Sequence, residues 1–153
     1  GQPRHETEAG GQYLAGIAEW WEIGVFVRSD AELPRARDAI QAAGLQCVVL
    51  DDAVQTERER VSIATMHLAK GLEFRAVAVI ACDDEVIPLQ ARIQSLADEG
   101  DLEDAYETER HLLYVACTRA RDRLLVTGVA PASEFLEDLC ASAASVDRSL
   151  GKG

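Results

Sequence analysis

Apolar residues along the chain fall into short runs that polar and charged segments separate. The runs are rich in valine, isoleucine and alanine, and two of them are almost continuously apolar rather than alternating. Continuous apolar runs of this kind are typical of strands that are buried on both faces, as in a parallel sheet covered by helices. We predict strands at Ile23–Arg28, Cys47–Leu50, Val61–Met66, Ala76–Cys82 and Arg123–Gly128.

Several segments between these runs carry apolar residues at helical spacing, which indicates amphipathic helices. The predicted helices are Tyr13–Trp21, Glu32–Ala43, a longer one from about Leu102 or Glu103 to Ala120, and Ala132–Ala143. The acidic segment from Asp98 to Glu109 is expected to be a solvated loop that runs into the start of the longest helix. Strands that alternate with helices indicate an α/β domain with a mainly parallel sheet.

A length of 153 residues fits a single domain. The polar, glycine-bearing residues 1–12 are interpreted as a flexible lead-in or a leftover of cloning. Residues 13–145 form the predicted domain, and residues 146–153 form a predicted flexible tail.

The chain is acidic, with a formal net charge of -12 at pH 7. This excess argues against a generally basic nucleic-acid-binding surface, so any contact with nucleic acid is expected to be local. The four cysteines form no CxxC pattern, and we predict neither a metal site nor a disulfide framework. No apolar run is long enough to span a membrane, which predicts a cytoplasmic protein with no membrane partner.

Charged residues stand at three junctions between predicted elements. Arg28 closes the first strand, Thr65–Glu73 follows the third, and Arg119 lies near the end of the long helix, at the rim of its buried stripe. Ligands of parallel α/β sheets bind beyond the carboxyl ends of the strands, so we expect all three junctions at that edge. An arginine held there could pair bidentately with phosphate oxygens.

Two segments have longer and more specific patterns. Residues 65–74 read TMHLAKGLEF, and residues 109–121 read ERHLLYVACTRAR. The first resembles motif V and the second resembles motif VI of the UvrD/Rep/PcrA branch of superfamily 1 DNA helicases. The shorter segment 23–29, IGVFVRS, is similar to motif IV. Together these resemblances extend from Ile23 to about Gly128, which is most of the chain.

The resemblance implies the second, C-terminal RecA-like domain of a helicase core, a three-layer α/β domain. In this family that domain closes over ATP and Mg²⁺, which the N-terminal RecA-like domain mainly binds. By this resemblance Arg119 and Arg28 reach the γ-phosphate and are the catalytic candidates. Lys70 and Gly71 are expected near the phosphates, and Glu73 is expected at the nucleotide sugar.

The resemblance also implies a track for single-stranded DNA, which Thr65 and His67 are expected to face. The function implied is the C-terminal motor domain of an ATP-dependent DNA helicase, with 3′ to 5′ stepping by family likeness. The partners implied are single-stranded DNA and the N-terminal RecA-like domain of the same parent protein.

Two features depart from the family pattern. The chain has no GxxxxGK[ST] sequence, and therefore lacks a Walker A loop of its own and is expected to be inactive alone. Only about thirty residues separate Arg28 from Val61, where UvrD and close relatives insert a large accessory subdomain. The chain therefore represents either a compact relative or a form from which the insertion was removed.

Simpler interpretations remain open for most of these residues. Arg28 could be a strand-end arginine bonded to a neighbouring carboxylate, and Lys70 could form a local salt bridge with Glu73. Gly71 could be a turn residue with positive φ, and Thr65 could cap the following helical turn. As a whole, the domain could be a non-catalytic RecA-like scaffold or regulatory module in a DNA-repair complex.

Overall fold

The structure is a computed structural model that describes residues 22–51 and 59–139. The predicted lead-in, the predicted helix Tyr13–Trp21 and the predicted tail lie outside these ranges. Residues 135–139 are helical, which agrees with the middle of the predicted helix Ala132–Ala143. Its last residues also lie outside the described ranges.

A five-stranded parallel sheet forms the centre of the described part of the chain. The strands are β1 (Ile23–Val27), β2 (Cys47–Val49), β3 (Val61–Thr65), β4 (Phe74–Val79) and β5 (Ala120–Val126). Their order across the sheet is β2-β3-β1-β4-β5, and each neighbouring pair is parallel. The predicted α/β class with a parallel sheet is confirmed.

The central strands β1, β3 and β4 are buried on both faces, which explains their nearly continuous apolar runs, whereas the edge strands β2 and β5 are more exposed. On one face the core contains Val25, Ile63 and Ala78 together with residues of the first helix. On the other face the core contains Phe26, Ala64 and Val77 together with residues of the longest helix. The domain therefore has three layers, with helices on both sides of the sheet.

Helix α1 (Leu33–Ala42) follows β1 after a 3-10 turn at Asp30–Glu32. Pro34 lies in its first turn, where the missing N–H costs no helical hydrogen bond. The chain leaves the helix at Gly44, whose φ of 78° is favourable for glycine. The predicted helix Glu32–Ala43 is confirmed within one residue at each end.

Two short corrections concern the second half of the chain. A five-residue helix, α2 (Gln90–Gln94), was not predicted, because so short a helix has almost no periodicity. Helix α3 (Glu99–Cys117) begins earlier and ends earlier than predicted. The acidic segment is therefore helical from Glu99, and the prediction is wrong only in treating its first residues, before Leu102, as a loop.

The acidic start of α3 has a physical reason. The side chain of Asp98 accepts a hydrogen bond from the Gly100 N–H at 2.9 Å, and Glu99 and Asp101 occupy the first turn. Carboxylates at a helix N-terminus satisfy free N–H groups and interact favourably with the helix dipole. The charge run that resembled a solvated loop is therefore a helix-start signal.

Residues 66–73, here called the crossover, connect β3 to β4. They pass from the carboxyl edge of the sheet to its amino edge in eight residues, whereas parallel strands usually need a dozen or more. The crossover starts with a 3-10 turn at Met66–Leu68, and Ala69 and Leu72 are buried in the core on the α3 side of the sheet. A strand return that usually requires a whole helix is achieved here by one compact, buried segment.

Candidate functional site

The predicted site residues divide between opposite edges of the sheet. Arg28, Thr65 and His67 follow or end β1 and β3, and lie at the carboxyl edge. Glu73 directly precedes β4 and Arg119 directly precedes β5, which places both at the amino edge. The expectation that Arg119 lies at the carboxyl edge is wrong, because α3 leads into β5 at the amino end of that strand.

Arg119 is held at the C-terminal end of α3 by neutral acceptors. Its Nε donates to the Val115 carbonyl at 3.2 Å, and its Nη2 donates to the Thr118 hydroxyl at 3.2 Å. Its own carbonyl accepts a hydrogen bond from the Phe74 N–H at 3.0 Å. Within residues 22–51 and 59–139, no carboxylate pairs with the Arg119 guanidinium. The cation is therefore oriented by the helix end without being neutralised.

The crossover carries three further predicted residues. Gly71 has a φ of 86°, which fits the simpler interpretation of a turn glycine. Lys70 is exposed and has no carboxylate partner among the described residues. The Glu73 carboxylate lies 3.9 Å from Arg121 Nε. Within the described residues, no salt bridge joins Glu73 to Lys70. Nucleotide contacts by these residues remain predictions.

Arg28 is buried and forms a bidentate ion pair with Glu109. Its Nε donates to Oε2 and its Nη2 donates to Oε1 of Glu109, both at 2.6 Å. The side chains of Arg28 and Glu109 are 4% and 0% exposed. The simpler interpretation, a strand-end arginine bonded to a carboxylate, is the arrangement observed. The predicted phosphate contact of Arg28 remains a prediction, and it would require this pair to open.

Glu109 was not singled out from the sequence, although it accepts hydrogen bonds from several elements. The Leu89 N–H donates to its Oε2 at 3.3 Å, and Arg92 Nη1 lies 3.5 Å from its Oε1. Burial raises the pKa of the Glu109 carboxyl. The hydrogen bonds and charge of Arg28 lower the pKa by more than burial raises it, so the net pKa is below its ordinary value. A glutamate among the buried positions of α3, which include Ala105 and Leu113, was the signal that could have identified it.

The third guanidinium nitrogen of Arg28 extends the cluster to the crossover. Arg28 Nη1 lies 3.2 Å from His67 Nε2, and the histidine is exposed. We call Arg28, Glu109, His67 and Arg92 the carboxyl-edge cluster. This cluster joins β1, the start of the crossover, the α2 segment and the middle of α3.

Thr65 lies beside the carboxyl-edge cluster at the end of β3. It occupies the N-cap position of the 3-10 turn Met66–Leu68, but its side chain makes no capping hydrogen bond. Thr65 and His67 share the lining of an open depression of about 420 Å³. The other lining residues are Asp30, Leu33, Val49, Leu50, Asp51 and Leu68. The two predicted DNA-facing residues thus lie on one surface, and their contact with DNA remains a prediction.

Neither a metal-binding cluster nor a membrane-spanning helix occurs among the described residues. Residues 22–51 and 59–139 contain no group of three or more histidine, cysteine, aspartate or glutamate side chains that could hold a metal ion. Over the same residues, no helix is both long and apolar enough to cross a membrane.

The fold is a three-layer α/β domain whose parallel sheet has charged side chains at both edges. Residues 29–130 match the sequence profile of the family described as UvrD-like helicase C-terminal domain. The chain belongs to this family. The resemblance of its motifs to the UvrD/Rep/PcrA branch is confirmed.

A solved structure agrees with the fold. The crystal structure of the C-terminal domain of a possible DNA helicase from Lactobacillus plantarum WCFS1 matches with a TM-score of 0.61 and 23% sequence identity. The match covers 88% of this chain and 71% of that chain. At this level of identity the likeness concerns the fold alone.

The helicases that this chain resembles in sequence are much longer than the chain itself. The ATP-dependent DNA helicase Rep of Buchnera aphidicola is 38% identical over 80 residues, which are 52% of this chain and 11% of the relative. The ATP-dependent DNA helicase PcrA of Staphylococcus aureus is 40% identical over 76 residues, 50% of this chain and 10% of the relative. A probable DNA helicase II homolog of Rickettsia conorii is 34% identical over 116 residues, 75% of this chain and 17% of the relative. The chain thus matches only a small part of each of these proteins.

Proposed function

We propose that this chain is the C-terminal motor domain of an ATP-dependent DNA helicase. In this proposal it completes an ATP site and a single-stranded DNA track together with an N-terminal RecA-like domain of the same parent protein. The observation that carries the proposal is the state of Arg119, a guanidinium that the end of α3 orients and that no carboxylate neutralises among the described residues. Such a group is available to a phosphate, whereas a guanidinium already in an ion pair is not.

The proposed phosphate site combines Arg119 with Lys70 and Gly71 of the crossover. Arg119 and Lys70 are cations without carboxylate partners in the described ranges, and Gly71 forms a turn with open space at its Cβ position. When bound, ATP with Mg²⁺ would supply the γ-phosphoryl group whose transfer to water drives domain movement. Arg119 would stabilise the charge on that group, since a planar guanidinium matches phosphate oxygens. Holding Mg²⁺ is assigned to the N-terminal domain.

Arg28, unlike Arg119, is already occupied by an ion pair. Two of its nitrogens are bonded to Glu109, and the third lies against His67. A direct contact between Arg28 and the γ-phosphate would have to break an ion pair that is almost completely shielded from water. Arg119 is therefore the first arginine to test.

The DNA track is proposed at the carboxyl edge, at Thr65 and His67. The Thr65 hydroxyl is free of a capping bond and the His67 ring is exposed, so both could donate to a DNA backbone. The chain is acidic overall, and Asp30 and Asp51 line the same depression as Thr65 and His67, so favourable phosphate contacts are expected to be few and local. The domain alone is expected to bind single-stranded DNA weakly, with most of the affinity coming from the whole motor.

The test is ATP hydrolysis by the full-length protein with and without single-stranded DNA, comparing the wild type with Arg119→Ala. We expect DNA to stimulate the wild type and the substitution to lower the maximal rate by about 10³–10⁵-fold, the range for arginine fingers in related reactions. Nucleotide binding, measured with a fluorescent ATP analogue, is expected to persist. Arg37→Ala, which removes an exposed arginine of α1, is the matched control.

A second outcome would favour the scaffold or regulatory module. If the wild type hydrolyses no ATP, or if Arg119→Ala and Arg37→Ala have the same rate, Arg119 has no role in phosphoryl transfer. The motor proposal would then be wrong, although membership of the family would stand.

A further inference from the structure

The contact between Arg28 and His67 restricts the protonation of the histidine ring. A guanidinium has only N–H donors and no acceptor. Arg28 Nη1 lies 3.2 Å from His67 Nε2, and this contact is a hydrogen bond only if Nε2 carries a lone pair. A ring that accepts at Nε2 and is neutral carries its proton on Nδ1.

Glu109 prevents the guanidinium from turning away. It binds Arg28 Nε and Nη2 at 2.6 Å each, in a fork that fixes the plane of the guanidinium. The carboxylate is itself fixed by the Leu89 N–H and is 0% exposed. The remaining nitrogen, Nη1, is therefore held towards the crossover.

We propose that Glu109 is a positioning residue that acts through Arg28 to hold His67 neutral, with its proton on Nδ1, as a hydrogen-bond donor to a phosphate oxygen of single-stranded DNA. The DNA contact rests on the proposed function, whereas the tautomer of His67 does not. Glu109 touches no substrate in this arrangement. Its effect is to determine which ring nitrogen of the exposed His67 carries the proton and can donate a hydrogen bond.

The same arrangement connects the crossover to α3 at its start, where His67 is bonded through Arg28 to Glu109 in the middle of the helix. Directly after the crossover, the N–H of Phe74, the first residue of β4, donates to the carbonyl of Arg119, two residues beyond α3, where β4 pairs with β5. A change in the position of α3 would therefore change the position of His67, the residue that is proposed to contact DNA.

The first experiment reads the tautomer directly, by long-range ¹H–¹⁵N NMR spectra of the chain at neutral pH. The His67 signals are assigned by comparison with His67→Gln. We expect a protonated, pyrrole-type Nδ1 and an unprotonated, pyridine-type Nε2. A ring with its proton on Nε2 in the wild type would overturn the proposal without any variant.

The second experiment tests the positioning role in the full-length protein. Glu109→Gln removes the carboxylate charge with little change in shape, and Glu107→Gln does the same at an exposed position of the same helix. We expect Glu109→Gln to raise the single-stranded DNA concentration for half-maximal ATPase stimulation by about two- to tenfold, the effect of one hydrogen bond. The DNA-saturated rate is expected to fall less than this, and Glu107→Gln is expected to match the wild type.

Failures of the two proposals are distinguishable. A wild type that DNA does not stimulate would overturn the proposed function and the DNA contact with it. A stimulated wild type with an unchanged half-saturating DNA concentration in folded Glu109→Gln would overturn the positioning role alone. If Glu109→Gln does not fold, Glu109→Asp, which keeps the charge but shortens the side chain that holds the Arg28 fork, is measured in its place, with the same expected and contrary outcomes.

Discussion

Removal of the Glu109 charge is expected to destabilise the domain far more than removal of an exposed carboxylate. In Glu109→Gln the Arg28 guanidinium stays buried, since its side chain is 4% exposed, and it loses its counter-charge. Breaking a buried pair by removing one partner costs about 3–5 kcal/mol. Domains of this kind unfold with about 5–15 kcal/mol, so the loss is a large fraction of the total.

The assay is equilibrium unfolding of the chain in urea, followed by circular dichroism. With a slope of about 2 kcal/mol per molar urea, the midpoint of Glu109→Gln is expected to fall by about 2 M. Asp122→Asn is the comparison, because Asp122 pairs with Arg75 at 2.8 Å but has a side chain that is 52% exposed. Its midpoint is expected to stay close to that of the wild type.

A double substitution separates two contributions to the loss of stability: the lost attraction between Arg28 and Glu109, and the cost of leaving the Arg28 charge buried without a partner. Arg28→Met with Glu109→Leu removes both charges from the buried site, and such replacements are often neutral or stabilising. We expect most of the loss to be recovered, with about 1–3 kcal/mol remaining because the Leu89 N–H loses its acceptor. A Glu109→Gln midpoint equal to that of Asp122→Asn would refute the reasoning. Burial would then have no effect on how much an ion pair contributes to the free energy of unfolding.

The pH dependence has a definite sign. The pKa of Glu109 is lower in the folded chain than its ordinary value, so the ionised form stabilises the fold. This contribution is complete above the unfolded glutamate pKa of about 4.3 and is lost as the pH falls through the lower, folded value. The difference in stability between the wild type and Glu109→Gln is therefore expected to shrink below about pH 4. A difference that grows towards acid would contradict the assignment.

Other predictions follow from single sites. Gly71→Ala is expected to cost about 1–2 kcal/mol in thermal unfolding, because a residue with a Cβ is strained at a φ of 86° although the space is open; an unchanged midpoint would contradict this. Gly24→Ala is expected to cost about 1–3 kcal/mol in the same assay, since the new Cβ would overlap the Phe74 ring, and a neutral effect would mean that the ring can move. Burial raises the pKa of Cys117 to about 11, so this thiol is expected to react with a disulfide reagent at pH 8 only on unfolding, after the less buried Cys47. The chain alone is expected to bind a fluorescent single-stranded DNA weakly and with strong salt dependence in anisotropy titrations; tight binding insensitive to salt would contradict a local contact.

Local patterns predicted the elements well where one physical signal dominated. The central strands are buried on both faces and appear as continuous apolar runs, and α1 is bounded by a proline and a glycine. The start of α3 was misread because carboxylates suit both a solvated loop and a helix N-terminus. The capping bond between Asp98 and Gly100 and the first helical hydrogen bond from Leu102 to Asp98 distinguish the two in the folded chain.

Non-local geometry accounts for what the sequence could not predict about the site. The pairing of Arg28 with Glu109 joins residues 81 positions apart, and it depends on the packing of α3 over the sheet. The separation of Arg119 from Arg28 depends on α3 running from the carboxyl edge to the amino end of β5. Motif resemblance placed both arginines at one phosphate, whereas the described structure holds one in an ion pair and leaves the other without a carboxylate partner.

Helix α3 connects the buried ion pair of Arg28 to Arg119, which has no carboxylate partner among the described residues. Glu109 lies eight residues before the end of α3 at Cys117, about 12 Å along the helix, and Arg119 follows two residues later. Because α3 is fixed to the carboxyl-edge cluster at Glu109, a displacement of the helix is expected to move Glu109 and Arg119 together. Since the crossover is linked to α3 through Arg28 and leads into β4, which is bonded to Arg119, movement of Arg119 towards a phosphate is expected to displace the segment that carries His67. On the proposed function, α3 and the crossover would therefore be the elements through which the ATP site and the DNA track communicate, and Glu109→Gln should weaken that communication while leaving Arg119 in place.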